Sequence, residues 1–232
     1  MSSHITRGEM TIFGTRYAMS RPGEWWFDKE TGRLYYAPMS ASFPSLEENS
    51  VVIPMMDVVV KVGTRTLLGR QPPPGSLFSW TRGITLENIK FADAGYDVKP
   101  RAVGFQAPFH AYANGKGIPS DTAVSIRGSE NITVRGCIFE SLAGGGVHIT
   151  DSTSFVTIER STFAHLGQSA VILTGNNTNQ PSRILIEGNT IDDVGRILYS
   201  SAAILCTTCS HSTFRSNNIS RASRWGIHIR NN

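Results

Sequence analysis

Along the second half of the chain, apolar and polar residues alternate in short runs, and one eight-residue pattern keeps returning: apolar, any, apolar, two polar, small or polar, any, then Phe or Ile. The copies are ITLENIKF from Ile84, ITVRGCIF from Ile132, VTIERSTF from Val156, ILIEGNTI from Ile184 and STFRSNNI from Ser212. Their starts are separated by 48, 24, 28 and 28 residues, so the unit is about 24 residues with one doubled gap and two longer loops. A second apolar pair follows fifteen residues after a start: Val147 and Ile149, Val171 and Leu173, Ile227 and Ile229. The Ile184 copy reaches its equivalent pair, read as Ala203 and Leu205, four residues late. Alternation with period two marks strands with one buried face, and helical spacing fits none of these runs.

Three short strands in about two dozen residues, with Gly and Asn at the bends, make one rung of a right-handed parallel β-helix. Rungs stack ~4.8 Å apart, so equivalent residues of successive copies form columns. The predicted inner columns are Ile84, Ile132, Val156 and Ile184; Phe91, Phe139, Phe163, Ile191 and Ile219; and Val147, Val171, Ala203 and Ile227. A polar slot holds Cys137, Ser161, Asn189 and Asn217, with an amide ladder expected between the two Asn and a buried structural thiol at Cys137. A β-sandwich also alternates with regular turns, but it has no reason to repeat one spacing five times. The fold class is therefore all-β, with the solenoid over residues 63–232 and a small β module over residues 1–62. Within that module RPGEWWFDKETGRLYYAP, residues 21–38, reads as a hairpin turning at Gly32, followed by a Ser/Pro/Glu-rich loop at residues 40–50. The doubled gap between Phe91 and Val124 holds either an irregular rung or an extruded loop.

Composition narrows the partners. With 232 residues, 40% hydrophobic and 17% charged, the chain can bury a sizeable core and is not of a disordered class. A net charge of +4 carried by 17 Arg and 5 Lys favours planar contacts to carboxylates, sulfates or phosphates, and the absence of a basic run argues against nucleic acid. No run approaches the ~18 apolar residues of a membrane span. Three cysteines are too few for a disulfide framework. The CTTC at 206–209 lacks a helix start for redox work and two further ligands for zinc, so it reads as a loop with two thiols. No metal or cofactor is expected.

The stretch PGEWWFDKETGRLYYAP closely resembles the element that precedes the solenoid in right-handed parallel β-helix glycoside hydrolases, a group that includes glycoside hydrolase family 141. There a PGEWY-D-TG-LYY-like hairpin is followed by a valine-rich strand and then by rungs. QAP at 106–108, NITVRGCIFESLAGGGVHIT from Asn131 and IDDVGRILYSSAAI from Ile191 extend the resemblance over nearly the whole chain. It implies a carbohydrate-active, secreted, monomeric protein with a polysaccharide partner. It does not fix the reaction, since related β-helices include xylosidases, fucosidases, galactosidases, lyases and epimerases. The chain stops at GIHIRNN directly after a strand and starts without an export signal, so it is expected to be a fragment. The group carries catalytic carboxylates on later rungs, and the resemblance transfers no catalytic residue here.

Solenoid geometry itself nominates residues. One column apart by one rung is ~4.8 Å and by two rungs ~9.6 Å, against about 5 Å for retaining and about 6.5–9.5 Å for inverting glycosidases. Glu140 and Asp192 fall two rungs apart, and His165 and Asp193 one rung apart, so these four are the catalytic candidates. Acidic residues at a bend also serve simply to solvate it and accept main-chain N–H bonds. His148, Asp151, His228 and Arg230, read as the outer face of the VHI and IHI strands, are candidate substrate contacts, with Gln106 and Trp25. That outer face is equally read as the wet side of a strand. Three functions follow: a glycoside hydrolase with two carboxylates; a lyase or epimerase on an acidic glycan, in which Arg or Lys neutralises a uronate and His removes a proton; and a non-catalytic glycan-binding β-helix.

Overall fold

An alternating strand must cover its apolar face, and this chain does so by coiling so that each turn buries the same positions as the last. The computed structural model describes residues 16–28, 30–38, 54–63, 81–95, 122–175 and 178–230. The chain forms two compact units, Met1–Val52 and Ile53–Asn232. In the first, β1 (Trp25–Asp28) pairs antiparallel with β2 (Arg33–Tyr36), with Trp25 opposite Tyr36 and Trp26 opposite Tyr35. The predicted turn is present. Gly32 adopts φ +66°, and Asp28 accepts hydrogen bonds from the Glu30 N–H at 3.0 Å and the Thr31 hydroxyl at 2.5 Å. Trp26 and Tyr35 stack with centroids 5.4 Å apart.

The second unit is built from three parallel sheets. After β3 (Val60–Gly63) come β4 (Thr81–Glu87), β5 (Lys90–Ala92) and β6 (Thr122–Arg127); then β7 (Ser129–Arg135), β8 (Ile138–Glu140) and β9 (Gly145–Thr150). The next rung is β10 (Ser154–Glu159), β11 (Thr162–Leu166) and β12 (Val171–Thr174), followed by β13 (Ser182–Glu187), β14 (Thr190–Val194) and β15 (Ala202–Cys206). The last described rung is β16 (Thr213–Arg215), β17 (Asn218–Ala222) and β18 (Trp225–Ile229). The first sheet orders β4-β7-β10-β13-β16, the second β5-β8-β11-β14-β17, and the third β3-β6-β9-β12-β15-β18. Each strand's neighbours are thus its equivalents one rung away, the defining arrangement of a parallel β-helix. β4 pairs directly with β7 and β5 with β8, so the copies from Ile84 and Ile132 lie on adjacent rungs; residues 96–121, like those at 40–50, lie outside the described residues.

Columns inside the coil follow the repeat. Ile84 pairs with Ile132, Ile132 with Val156 and Val156 with Ile184, while Phe91, Phe139 and Phe163 stack with centroids 4.8 and 4.6 Å apart. Phe139 and Phe163 are fully buried. In the polar slot, Asn189 donates to the Asn217 side chain at 2.9 Å, and the Ser161 N–H donates to Asn189 at 2.9 Å. Each amide also donates to a main-chain carbonyl, of Ile158 and Ile186, so the ladder satisfies buried backbone as well as itself. Cys137 is a buried free thiol in this column, as expected.

Two expectations are corrected. Val171 pairs with Ile204, and Ile204 with Ile227, so Ile204 rather than Ala203 continues the third column, five residues late. The run AAILC offers two apolar pairs one residue apart, and only the length of the preceding loop decides between them. Cys206 and Cys209 form a disulfide rather than two thiols.

The bends have a regularity of their own. In every copy the residues at start −1, +4 and +9 adopt the left-handed conformation: Gly83, Asn131, Phe155, Arg183 and His211; Asn88, Gly136, Arg160, Gly188 and Ser216; Asp93, Ser141, His165, Asp193 and Arg221. A left-handed residue every fifth position turns the chain three times per rung. Gly, Asn and Asp take this region readily, whereas Phe155 and the three Arg do so at a cost of about 1 kcal/mol each or more.

Candidate functional site

Phe139, Phe163 and Ile191 point inward, so the next residue of each strand points out of the second sheet. That outer column reads Ala92, Glu140, Ala164, Asp192, Ser220. Two carboxylates therefore alternate with small side chains, each flanked by a notch. Glu140 and Asp192 are both register partners of Ala164, which fixes them two rungs, ~9.6 Å, apart.

Each carboxylate has its own cation. Lys90 Nζ lies 2.7 Å from Glu140 Oε2, and this charged hydrogen bond holds the Glu140 carboxyl below the ordinary carboxylate range. Arg221 forks onto both oxygens of Asp192, through Nε at 2.9 Å and through its NH2 group, and the Ser220 hydroxyl donates at 2.7 Å. These bonds, Arg221 first, lower the Asp192 pKa as well. At neutral pH both groups are anions.

Beside this column run the left-handed residues of the third bend. His165 and Asp193 occupy it on adjacent rungs, and His165 Nδ1 lies 2.8 Å from Asp193 Oδ2. Arg196 approaches the same oxygen at 3.7 Å. The four predicted catalytic candidates are thus brought together on one ridge, and the positive charge of His165 would lower the pKa of both Glu140 and Asp192. Lys90, Arg196, Ser220 and Arg221 complete the ridge and were not singled out from the sequence. Their column offsets were available, but diagonal contacts between rungs depend on side-chain direction, which spacing does not carry.

On the third sheet the predicted substrate-contact residues divide between a buried part and an exposed part. Ser125, His148, Ile172, Leu205 and His228 share the outer column of the third sheet, yet His148 is only 7% exposed, and Ile172 and Leu205 are buried beside it. This half of the face is not wet. The His148 Nε2 lies 2.5 Å from the Thr174 hydroxyl, and burial, with Arg127 second, pushes its pKa down to about 4. Asp151 is paired with Arg127. His228 is half-buried, 4.4 Å from the Trp225 ring, and Arg230 is exposed. Trp25, in the hairpin unit, is 66% exposed. Gln106 lies outside the described residues. Among the described residues no group of three His, Cys, Asp or Glu could hold a metal ion.

The family model described as right handed beta helix region matches residues 114–232, or 119 of the 232 residues. The chain belongs to the right-handed β-helix family. No curated protein and no solved structure matches it. The family assignment supplies the hand of the coil, and the matched part of this right-handed β-helix runs from before β6 to beyond β18, including the ridge from Glu140 to Arg221. Chemically the ridge of the β-helix offers two anionic carboxylates two rungs apart, an imidazole oriented by a carboxylate, and the cations Lys90, Arg196 and Arg221 beside those carboxylates.

Proposed function

We propose that this right-handed β-helix is a carbohydrate-active protein acting on a polysaccharide, with glycoside hydrolysis as its reaction. The observation that carries this reading is the outer column Ala92, Glu140, Ala164, Asp192, Ser220, in which two acidic residues stand on either side of Ala164, whose methyl group leaves room for a sugar. Their strands lie ~9.6 Å apart, close to the upper limit of about 9.5 Å for the carboxyl separation in inverting enzymes. Asp192, clamped by Arg221 and Ser220, stays ionised and is the base that activates water. Glu140 is hydrogen-bonded by Lys90, which a bound sugar displaces; loss of that partner together with desolvation under the sugar raises the Glu140 pKa so that it serves as the acid. The hairpin resemblance to family 141 proteins supports the same class.

A second reading has its own observation. In the His165–Asp193 pair the carboxylate fixes Nδ1 and leaves Nε2 as a base, the arrangement for removing a proton, with Arg196 nearby to neutralise a uronate. That is lyase or epimerase chemistry.

The polysaccharide is the partner in either reading, and the protein acts as a monomer in an oxidising, extracellular compartment, which the Cys206–Cys209 disulfide supports. The test is incubation with a polysaccharide panel, following reducing ends, ultraviolet absorbance of unsaturated product and the anomer released. Hydrolysis predicts reducing ends without unsaturation, an inverted anomer, and losses of about 100-fold or more in kcat for Glu140→Gln and for Asp192→Asn. Unsaturated product abolished by His165→Ala, with both carboxamide variants active, overturns hydrolysis in favour of elimination.

A further inference from the structure

On the last described rung, away from the carboxylate ridge, one indole contacts two basic side chains, and a third lies close to one of them. Trp225 is half-buried and packs against Ile172, Ala202 and Leu205 on the outer face of the third sheet, which fixes its ring. The Arg224 guanidinium lies over that ring, 3.8 Å from its centroid. The His228 ring meets it edge-on, centroids 4.4 Å apart at 86°. Arg230 follows two residues on, so its side chain leaves the strand on the same face as His228. A stacked guanidinium has already lost most of the rotamer freedom it would lose on binding, and its planar fork matches a carboxylate or sulfate.

We propose that Arg224, Trp225, His228 and Arg230 form a binding site for an anionic sugar residue, a uronate or a sulfated sugar, on the outer face of the third sheet. The proposal rests on the carbohydrate reading above and adds the class of saccharide. Arg224, held in place by the indole, takes the anionic group through its fork, and His228 and Arg230 bond the remaining anionic or hydroxyl oxygens. The cost visible without ligand fits this role. After burial, Arg230 and Arg224 are what lower the His228 pKa, as like charges gathered around one point do. A bound anion reverses that effect.

The experiment titrates the full chain with uronic-acid, sulfated and neutral oligosaccharides of matched length, and with inorganic sulfate, by calorimetry and by nuclear magnetic resonance of the His228 ring. The expected result is that the uronic or the sulfated arm binds at least about tenfold more tightly than the neutral one, as a charge-assisted bidentate contact implies. The same arm raises the His228 pKa. Arg224→Ala removes the preference, and Arg224→Lys, which keeps charge without the fork, removes most of it. Arg82→Ala, on the first sheet and paired with Glu130, leaves it unchanged. Equal binding of acidic and neutral arms, a preference that survives Arg224→Ala, or inorganic sulfate binding as tightly as the oligosaccharides would each overturn the assignment. Turnover or binding of neutral glycans without acidic preference ends this site and leaves the carbohydrate reading standing; binding of no saccharide at all ends both.

Discussion

Two sets of columns in the β-helix obey opposite rules. Inside the second sheet, Phe91, Phe139 and Phe163 repeat one side chain over three rungs, and Ile191 and Ile219 continue it with another apolar group. Two residues along each strand, at the third bend, Asp93, Ser141, His165, Asp193 and Arg221 repeat one backbone conformation and no side chain. The inner column is specified by volume, because close-packed interiors feel the loss of a single methylene. The bend column is specified by φ, and its side chains meet their neighbours through hydrogen bonds and ion pairs rather than through close packing. Chemistry can vary there at little cost to the fold, and this is where His165, Asp193 and Arg221 of the candidate site are found, beside the column of Glu140 and Asp192.

The comparison breaks most severely at its rigid end. Phe139→Ala removes a fully buried ring stacked on both sides, and should cost about 3–5 kcal/mol, read as a lowered urea midpoint with unchanged slope. A loss under about 1 kcal/mol would mean that the column is not packed as described.

Acid should act nearly as strongly through His148. Its folded pKa is about 4 against 6.5 as a free side chain, because burial beside Thr174 and, second, the charge of Arg127 disfavour the charged ring. Between those values the unfolded chain binds the proton and the folded chain does not, so stability is full above pH 6.5 and falls as pH drops toward 4. The integrated loss is about 3 kcal/mol. Exposed carboxylates such as Asp192, whose folded pKa is lowered, lose their contribution only below their ordinary range, at more acid pH. Melting curves at several pH values should show the slope, and His148→Gln should flatten it between pH 4 and 6.5.

Reduction of Cys206–Cys209 releases a loop of only four residues and should cost about 2 kcal/mol by loop-closure entropy. The check is a drop in Tm on adding reductant, absent in a Cys206→Ser/Cys209→Ser variant. At the permissive end, Phe155→Gly relieves a left-handed aromatic that is 44% exposed, and should raise stability by about 1 kcal/mol against the lost stacking of Arg183. His165→Gly should change stability by less than about 1 kcal/mol while removing the imidazole, which separates chemistry from fold at that bend.

What was legible in the sequence follows the same division. Columns defined by side-chain identity, such as the phenylalanines and the Asn189–Asn217 ladder, announce themselves by spacing. The placement of Ile204 did not, because AAILC is apolar at every position and a loop one residue longer shifts the register. The left-handed columns were half visible through Gly83, Asn88, Asp93, Gly136 and Gly188, and hidden where Phe155, Arg160 and Arg183 occupy the same conformation against their preference. His148 read as outward and is outward. Its burial depends on what lies over the sheet, which strand periodicity cannot report. Of the candidate site, the spacing of Glu140 and Asp192 and the meeting of His165 with Asp193 were readable as column arithmetic; the cations that hold them ionised were not.

The most direct measurement of the stacking is a pair of engineered cross-links on the outer face of the first sheet, where Thr133 and Thr157 are register partners. Neighbouring strands place their Cα atoms ~4.8 Å apart, within reach of a disulfide, whereas a shift of two residues along the strand does not. Under mild oxidation, Thr133→Cys with Thr157→Cys should link intramolecularly and be recovered as a cross-linked peptide, and Thr133→Cys with Glu159→Cys should remain reduced. Linkage of the second pair in preference to the first would contradict a coil in which residues 24 apart lie side by side.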